Sequence, residues 1–310
     1  MPVASPLRLG TRQSPLAMVQ AREAAARLCE AHGWPDDAVE LVPVRASGDR
    51  IQDRPLAEIG GKALWTKELD LWLIEGQIDA AVHSAKDVET LRPDKLTIGA
   101  VLERADVADR LLGARSISAL PQGAVVGTSA PRRAAQLRNL RPDCSVVFFR
   151  GNIASRMSKL AAGEVEATFL ADAGLSRLGE SGVGVRLDPE SWLPAPAQGA
   201  IILECRSADA RVRSLLGAID HPRSHLEVRA ERRLLEGLDG SCHSAVGALS
   251  TWTDQGRLRL RAAIFSPEGA RRVEDFAEFA PEDEDAPLAL ARRLLAASPA
   301  LVRDSFTGTA

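Results

Sequence analysis

Tyrosine is absent, and aromatic residues make up only 4% of the 310 residues. A chain this poor in aromatics lacks the stacking platforms of a single-strand nucleic-acid binder. A charge excess of one sign is missing as well: 39 basic side chains face 42 acidic ones, leaving a net charge of −3. That balance argues against a general binder of nucleic acid or membrane surfaces. No run approaches the roughly 18 apolar residues that a spanning helix needs. The stretch Met1 to Pro6 carries neither the basic nor the apolar part of a secretory signal. Cysteine is scarce: Cys29, Cys144, Cys205 and Cys242 lie far apart, with no CxxC pair and no histidine at metal-ligand spacing. Neither a disulfide framework nor a metal site is expected. The reading is a soluble, reduced, cytoplasmic protein without nucleic-acid or membrane partners, long enough for two or three domains.

What is present is a repeated alternation of short apolar runs and helical patterns. Leu7 to Leu9 leads into Gly10-Thr11-Arg12-Gln13-Ser14-Pro15 and an Ala/Leu-rich helix to about His32. A strand at Val39–Val44, a long polar segment over 45–61, a helix from Leu64 to Glu75 and a strand from Ile78 to Val82 follow. The order recurs downstream: Ala124 to Val126, then Gly127-Thr128-Ser129-Ala130-Pro131-Arg132-Arg133 and a helix to Leu140. A strand at 145–149, a helix at 153–162 and a strand at 167–171 complete the second set. Such alternation predicts βαβ units and a mostly parallel sheet in each of two α/β lobes. A strand at 200–205 returns to the first lobe after Leu193-Pro194-Ala195-Pro196. A helix at 224–235, strands near 245–250 and 258–265, and a helix at 286–297 read as a smaller α+β unit. The expected domains are 1–102 with 199–220, 103–198, and 221–310, the segment 45–61 forming a lid.

Ligands in such sheets sit at the carboxyl ends of strands. Both lobes place Gly-Thr, a serine and a proline there, which predicts N-capped helices, Ser14 and Ser129 being the caps. Helix N-termini bind anions, and Arg12, Arg132 and Arg133 stand beside them, with Arg150 and Arg156 farther on. Arginine suits the bidentate grip of carboxylates and phosphates, so a polyanionic ligand is expected, although capped helices with surface arginines would look the same. Lys86 and Asp87 follow the third strand. A carboxylate among cations either holds its neighbours in place or meets a developing positive charge and moves a proton. Cys242, in a Gly/Ser turn, is a candidate nucleophile or attachment point, or a tolerated loop residue. Cys29 and Cys205 fit core patterns. His83 reads equally well as structural, and neighbouring side chains such as Cys242 and His243 rarely face each other as a dyad.

The motifs Arg12-Gln13-Ser14-Pro15-Leu16-Ala17, Gly60 to Leu69, His83-Ser84-Ala85-Lys86-Asp87-Val88, Gly127 to Arg133, Arg150-Gly151-Asn152, Ala173 to Leu178, Gln198-Gly199-Ala200 and Gly240-Ser241-Cys242 occur in one order. Together they resemble the porphobilinogen deaminase, or hydroxymethylbilane synthase, family over nearly the whole chain, most weakly after about residue 250. The resemblance implies two doubly wound lobes like type II periplasmic-binding-protein domains and a smaller α+β C-terminal domain. It implies a monomeric transferase of tetrapyrrole biosynthesis that condenses four porphobilinogen molecules head to tail into hydroxymethylbilane, releasing four ammonia molecules. A dipyrromethane cofactor would be held by a thioether at Cys242. Asp87 maps to the catalytic aspartate, which also faces the cofactor. Lys86, Ser129, Arg132, Arg133, Arg150 and Arg156 map to cofactor binding; Arg12, Ser14, Lys62, Arg150, Arg156 and Arg177 map to substrate carboxylates; no metal is implied.

The sequence departs from the family pattern at Ser241 and at His243-Ser244-Ala245 around the cysteine. It departs also at Pro131, where Leu is commoner, and at Ala63 and Ala197, where Gly is frequent. A non-catalytic two-lobe anion-binding protein would explain the arginines equally well, but not Asp87 among cations or the loop cysteine. A thiol enzyme using Cys242 and His243 lacks a local orienting acid.

Overall fold

The computed structural model describes residues 6–44 and 66–307. These divide into two compact units, one within Met1–Ala105 and Ala200–His225, the other within Asp106–Gly199 and Leu226–Ala310. The expected lid over 45–61, with Lys62 and Ala63, lies outside the described residues.

The first unit is built on strands β1 (Leu7–Arg12), β2 (Val39–Val44), β3 (Ala80–Ser84), β4 (Leu96–Val101) and β10 (Ile201–Arg206), in the order β2-β1-β3-β10-β4. β1 runs parallel to β2 and β3, while β10 is antiparallel to both β3 and β4. Helix α1 (Pro15–His32) begins where Pro15 takes the first helical position, and stops at Gly33, whose φ of 63° closes the last turn onto Cys29 and Glu30. Its Ala21, Ala24 and Leu28 pack with Leu7, Leu9, Val82 and Leu203 on one side of the sheet. On the other side Leu69 and Leu73 of α2 (Lys67–Ile74) meet Val44, Ile78 and Ala81. Burial on both faces is why these strands read as apolar runs rather than alternating ones.

The second unit repeats the plan with β5 (Asp109–Leu112), β6 (Val125–Gly127), β7 (Ser145–Val147), β8 (Ala167–Ala171) and β9 (Val185–Arg186), ordered β7-β6-β8-β5-β9. β6 is parallel to β7 and β8, and β5 is antiparallel to β8 and β9. Each sheet therefore takes one antiparallel strand: β10, from a remote part of the chain, in the first, and β5, which directly precedes the parallel strands, in the second. Helices α3 (Pro131–Leu140), α4 (Ile153–Ala161) and α5 (Asp172–Arg177) follow its parallel strands.

A smaller C-terminal domain has its own antiparallel sheet, β11 (Val246–Trp252), β12 (Leu258–Phe265) and β13 (Arg272–Phe279). One face packs on Leu234 and Leu238 from and just beyond α7 (Pro222–Gly237), on Leu290 and Leu294 of α8 (Asp285–Ala297), and on Val302 and Phe306 of α9 (Ala300–Thr307). The other face joins Ala263 and Phe265 to Ala135 of α3 and to Leu193. The remaining helix, α6 (Ala210–Gly217), follows β10.

Candidate active site

In the first unit the carboxyl ends of the parallel strands carry the expected residues. Arg12 is the last residue of β1, and Ser14 caps α1, its Oγ accepting the Ala17 N–H at 3.3 Å. β3 runs into a single 3-10 turn, Ala85–Asp87, which brings the half-buried Lys86 and Asp87 to the same edge. The turn is fixed from three directions. The Ala85 N–H donates to the Ala200 carbonyl at 3.0 Å, and Gln20 Nε2 of α1 donates to Ser84 Oγ at 2.9 Å. Behind the turn, Arg92 pairs with Glu204 of β10 at 2.8 Å, with Glu89 at 2.7 Å and with Asp70 at 2.5 Å. Among the described residues the Asp87 carboxylate enters none of these pairs, which leaves it available to a ligand.

His83 is buried at 6% exposure, its Nε2 3.4 Å from Glu204 Oε2 but without a hydrogen bond. Burial, with the Arg92 charge, pushes the imidazole down to about 3. It is neutral at physiological pH and is a packing residue behind the Lys86-Asp87 turn.

In the second unit one local expectation is corrected. Ser129 does not cap α3; Ala130 occupies the cap position without a side-chain bond. The chain has one residue more between serine and proline here than at Ser14-Pro15, so the serine falls outside the turn. Ser129 Oγ instead donates to the Phe149 carbonyl at 2.7 Å and accepts the Phe149 N–H at 3.3 Å, tying the end of β6 to the chain beyond β7.

Arg132 and Arg133 are nearly fully buried and point at Asp109, a residue that sequence reasoning passed over. Arg132 Nη2 donates to Asp109 Oδ2 at 2.8 Å, and Arg133 donates through Nη2 to Oδ1 at 2.7 Å and through Nε to Oδ2 at 3.1 Å. The two guanidiniums hold the carboxylate well below its usual range despite the burial that opposes them. Nothing in the sequence marks Asp109: it opens a short strand and belongs to no helix cap or turn.

Arg156, in the first turn of α4, donates Nη2 to Thr168 Oγ1 at 2.9 Å and to the Phe169 carbonyl at 2.7 Å. Its Nε is buried without a partner, and among the described residues no carboxylate pairs with it. Burial and the neighbouring Arg133 charge push the guanidinium down to about 9. Arg156 is thus a half-enclosed cation satisfied only by neutral oxygens, the arrangement expected where an anion is to arrive. Arg150 follows β7, and its carbonyl accepts from Lys159 Nζ at 3.3 Å. Arg177 ends α5, Nη2 donating to the Gly199 carbonyl at 3.1 Å.

Cys242 lies in the turn beyond α7. Gly240 N–H closes on the Leu235 carbonyl at 2.8 Å, and Ser241 N–H donates to Ser244 Oγ at 3.0 Å. Of the four cysteines it is the one exposed to solvent. Burial raises the Cys29 and Cys144 thiols and lifts Cys205 to about 11, so those three are inert packing residues. Among the described residues no group of three His, Cys, Asp or Glu side chains could hold a metal ion, and no helix is long and apolar enough to cross a membrane. The second unit offers guanidiniums for carboxylates and an accessible thiol, and the first unit offers a carboxylate that enters no ion pair among the described residues.

Comparison with known proteins gives these features a context. Residues 7–214 match the family described as "Porphobilinogen deaminase, dipyromethane cofactor binding domain", and residues 225–296 match "Porphobilinogen deaminase, C-terminal domain". Porphobilinogen deaminase of Sphingopyxis alaskensis is 55% identical over 307 residues, covering 97% of each chain. That of Paracoccus denitrificans is 48% identical over 272 residues, covering 87% of each. Among solved structures, a VFT2 domain of Bordetella pertussis BvgS aligns over 72% of this chain and 91% of its own at 15% identity, with a TM-score of 0.43, a likeness too distant to bear on the site or the reaction. On the two domain matches and these identities, the chain belongs to the porphobilinogen deaminase family.

Proposed function

We propose that this chain condenses four porphobilinogen molecules head to tail into hydroxymethylbilane, with release of four ammonia molecules, on a dipyrromethane primer joined by a thioether to Cys242. Family membership supports the reaction and the cofactor class. The observation that carries the site reading is Arg156, a half-enclosed cation with no carboxylate partner among the described residues, at the carboxyl edge of a sheet. Each pyrrole of the substrate bears an acetate and a propionate, so a growing chain accumulates carboxylates and needs such cations. The residues fit the cofactor: an exposed thiol suits a thioether, and Arg156, Arg150 and Lys86, with Arg132 and Arg133 beneath, suit its carboxylates. When bound, the dipyrromethane supplies the nucleophilic carbon to which the first substrate pyrrole adds.

The chain's own residues do the rest. Arg12 and Arg177, with the Ser14-capped start of α1, hold substrate carboxylates and so orient the ring. As the C–N bond of the aminomethyl group breaks, positive charge spreads into the pyrrole. Asp87 accepts the pyrrole N–H and stabilises that charge through a preorganised carboxylate. The new C–C bond is balanced by loss of one proton from the attacked carbon, and ammonia leaves. The lobes are assigned to 1–102 with 199–220 and to 103–198, with 221–310 carrying the thiol. The enzyme acts as a monomer in the cytoplasm, a compartment suited to four free cysteines.

Intact mass of the purified protein beside Cys242→Ser tests the proposal. A mass excess of two pyrrole units, absent from the variant, is expected. A bare polypeptide mass that gains nothing on incubation with porphobilinogen would favour the non-catalytic anion-binding protein.

A further inference from the structure

We propose that Asp109 is the positioning residue of the carboxylate site in the second unit: it locks the Arg133 guanidinium in place, and that fixed layer presents Arg156 to a ligand carboxylate. The proposal deepens the function above and relies on it only for the choice of first probe. Asp109 is 0% exposed, and both its oxygens are saturated. Besides the three arginine bonds, Oδ2 accepts Trp192 Nε1 at 2.9 Å and Oδ1 accepts Gln198 Nε2 at 2.8 Å. It therefore has no capacity left for a ligand and acts only through its partners.

The path from Asp109 to Arg156 is short. Arg133, gripped by Asp109 through Nε and Nη2, donates its remaining Nη1 to the Phe169 carbonyl at 2.9 Å, the same oxygen that takes Arg156 Nη2. The Phe169 ring stacks on Trp192, centroids 4.7 Å apart, and Trp192 is itself bonded to Asp109. Arg132 is held by Asp109 and by the Leu193 carbonyl at 2.6 Å. Among the described residues, Arg132 and Arg133 share one carboxylate and Arg156 pairs with none, leaving two positive charges uncompensated, and the Nε atoms of Arg132 and Arg156 are buried without partners. A cluster serving stability alone has no use for two extra buried cations, because each adds desolvation cost and mutual repulsion. The excess is accounted for if an anion completes the cluster, and two charges match the two carboxylates of one pyrrole ring.

The test uses the full chain carrying Cys242→Ser, so that no primer is attached, with and without Asp109→Asn. Calorimetry compares porphobilinogen with its dimethyl ester, which keeps the ring and lacks both charges. The expected result is a tenfold or greater loss of affinity for the diacid, with the ester changed less than twofold. Unchanged diacid affinity, or equal weakening of both ligands, would overturn the proposal, since a merely structural role does not distinguish them. Should Asp109→Asn fail to fold, Trp192→Phe decides. It keeps a ring on Phe169 but removes one donor to Asp109, and a selective threefold loss for the diacid is expected; no loss overturns the idea. If the parent chain does not bind porphobilinogen, the function proposed above fails. The same selective loss is then read with citrate, which needs only the carboxylate site.

Discussion

Asp87 and Arg156 are opposite cases of one condition: a charged group held in a defined place and left without an opposite charge among the described residues. For Asp87 the surrounding turn is fixed by Gln20, Ala200 and the Arg92 pairs, so its removal takes away charge rather than support. Asp87→Ala is expected to keep its melting temperature and the two-pyrrole mass excess while losing about two to three decades in kcat; turnover near that of the parent would remove Asp87 from the mechanism. Ala197 illustrates a different economy. The family resemblance marks it as a place where glycine is frequent, and its φ of 61° explains why. An L-residue in the left-handed region costs roughly 1–2 kcal/mol, while glycine loses somewhat more chain entropy on folding. Its conformation is held by Glu231, whose Oε2 accepts the Ala197 N–H at 2.5 Å. Ala197→Gly should therefore raise stability by up to about 1 kcal/mol, read as a higher urea midpoint at unchanged slope.

At the scale of elements, the segments legible in the sequence are those with an apolar stripe and a chemical boundary. The strands at Val39–Val44, Ala167–Ala171 and Leu258–Phe265 lie where their apolar runs put them. α1 starts at Ser14-Pro15 and stops at Gly33 as capping chemistry dictates. What escaped has a physical reason in each case. β13 holds Arg272, Glu274, Asp275 and Glu278 on an edge strand and lacks an apolar run. β5 opens on Asp109 and Arg110, whose charges are neutralised only in three dimensions. The site shows the same divide. Arg12, Lys86, Asp87 and Cys242 stand out by position in a loop or strand end. Asp109 and the downward turn of Arg132 and Arg133 depend on partners 23 and 24 residues away and leave no local trace. The Gly-Thr pairs that first suggested two related lobes have a packing cause: a Cβ on Gly10 would lie 2.3 Å from Ile78 Cδ1, and one on Gly127 would lie 2.5 Å from Phe149 Cγ. Both glycines let a neighbouring apolar side chain cross the strand end. Gly127→Ala should cost about 1–3 kcal/mol and loosen the Ser129–Phe149 tie, seen as a lower melting temperature together with a raised KM. A variant as stable as the parent would show that Phe149 moves aside freely.

Across the whole molecule, acid is the condition to which this arrangement of charge is most exposed, and it acts in two stages. His83 is neutral in the native state and resists protonation until about pH 3, facing Arg92, Arg12, Asp70, Asp87 and Glu204. The unfolded chain protonates the same residue near pH 6.5. At pH 7 the native state holds no proton and the unfolded chain only about a quarter of one, so His83 contributes weakly to the pH dependence there. Between pH 6.5 and 3 the unfolded state binds one proton more, and stability falls as pH falls, by at most about 1.4 kcal/mol per pH unit. The carboxylates act later. Asp109, Asp106, Asp209 and Asp220 are all held below their ordinary range by hydrogen bonds and cationic partners. Their stabilisation is complete above the unfolded value near pH 4 and is lost as pH drops through their native values. Urea midpoints are therefore expected to decline already between pH 6.5 and 4.5, and more steeply below 4. His83→Gln should shrink the first decline and leave the second; what remains of the first comes from His243, whose imidazole burial also lowers. A parent protein with a flat midpoint from pH 7 to 4.5 would mean that the buried imidazole accepts its proton without unfolding, and that the Glu204 oxygen at 3.4 Å then closes on it as an ion pair.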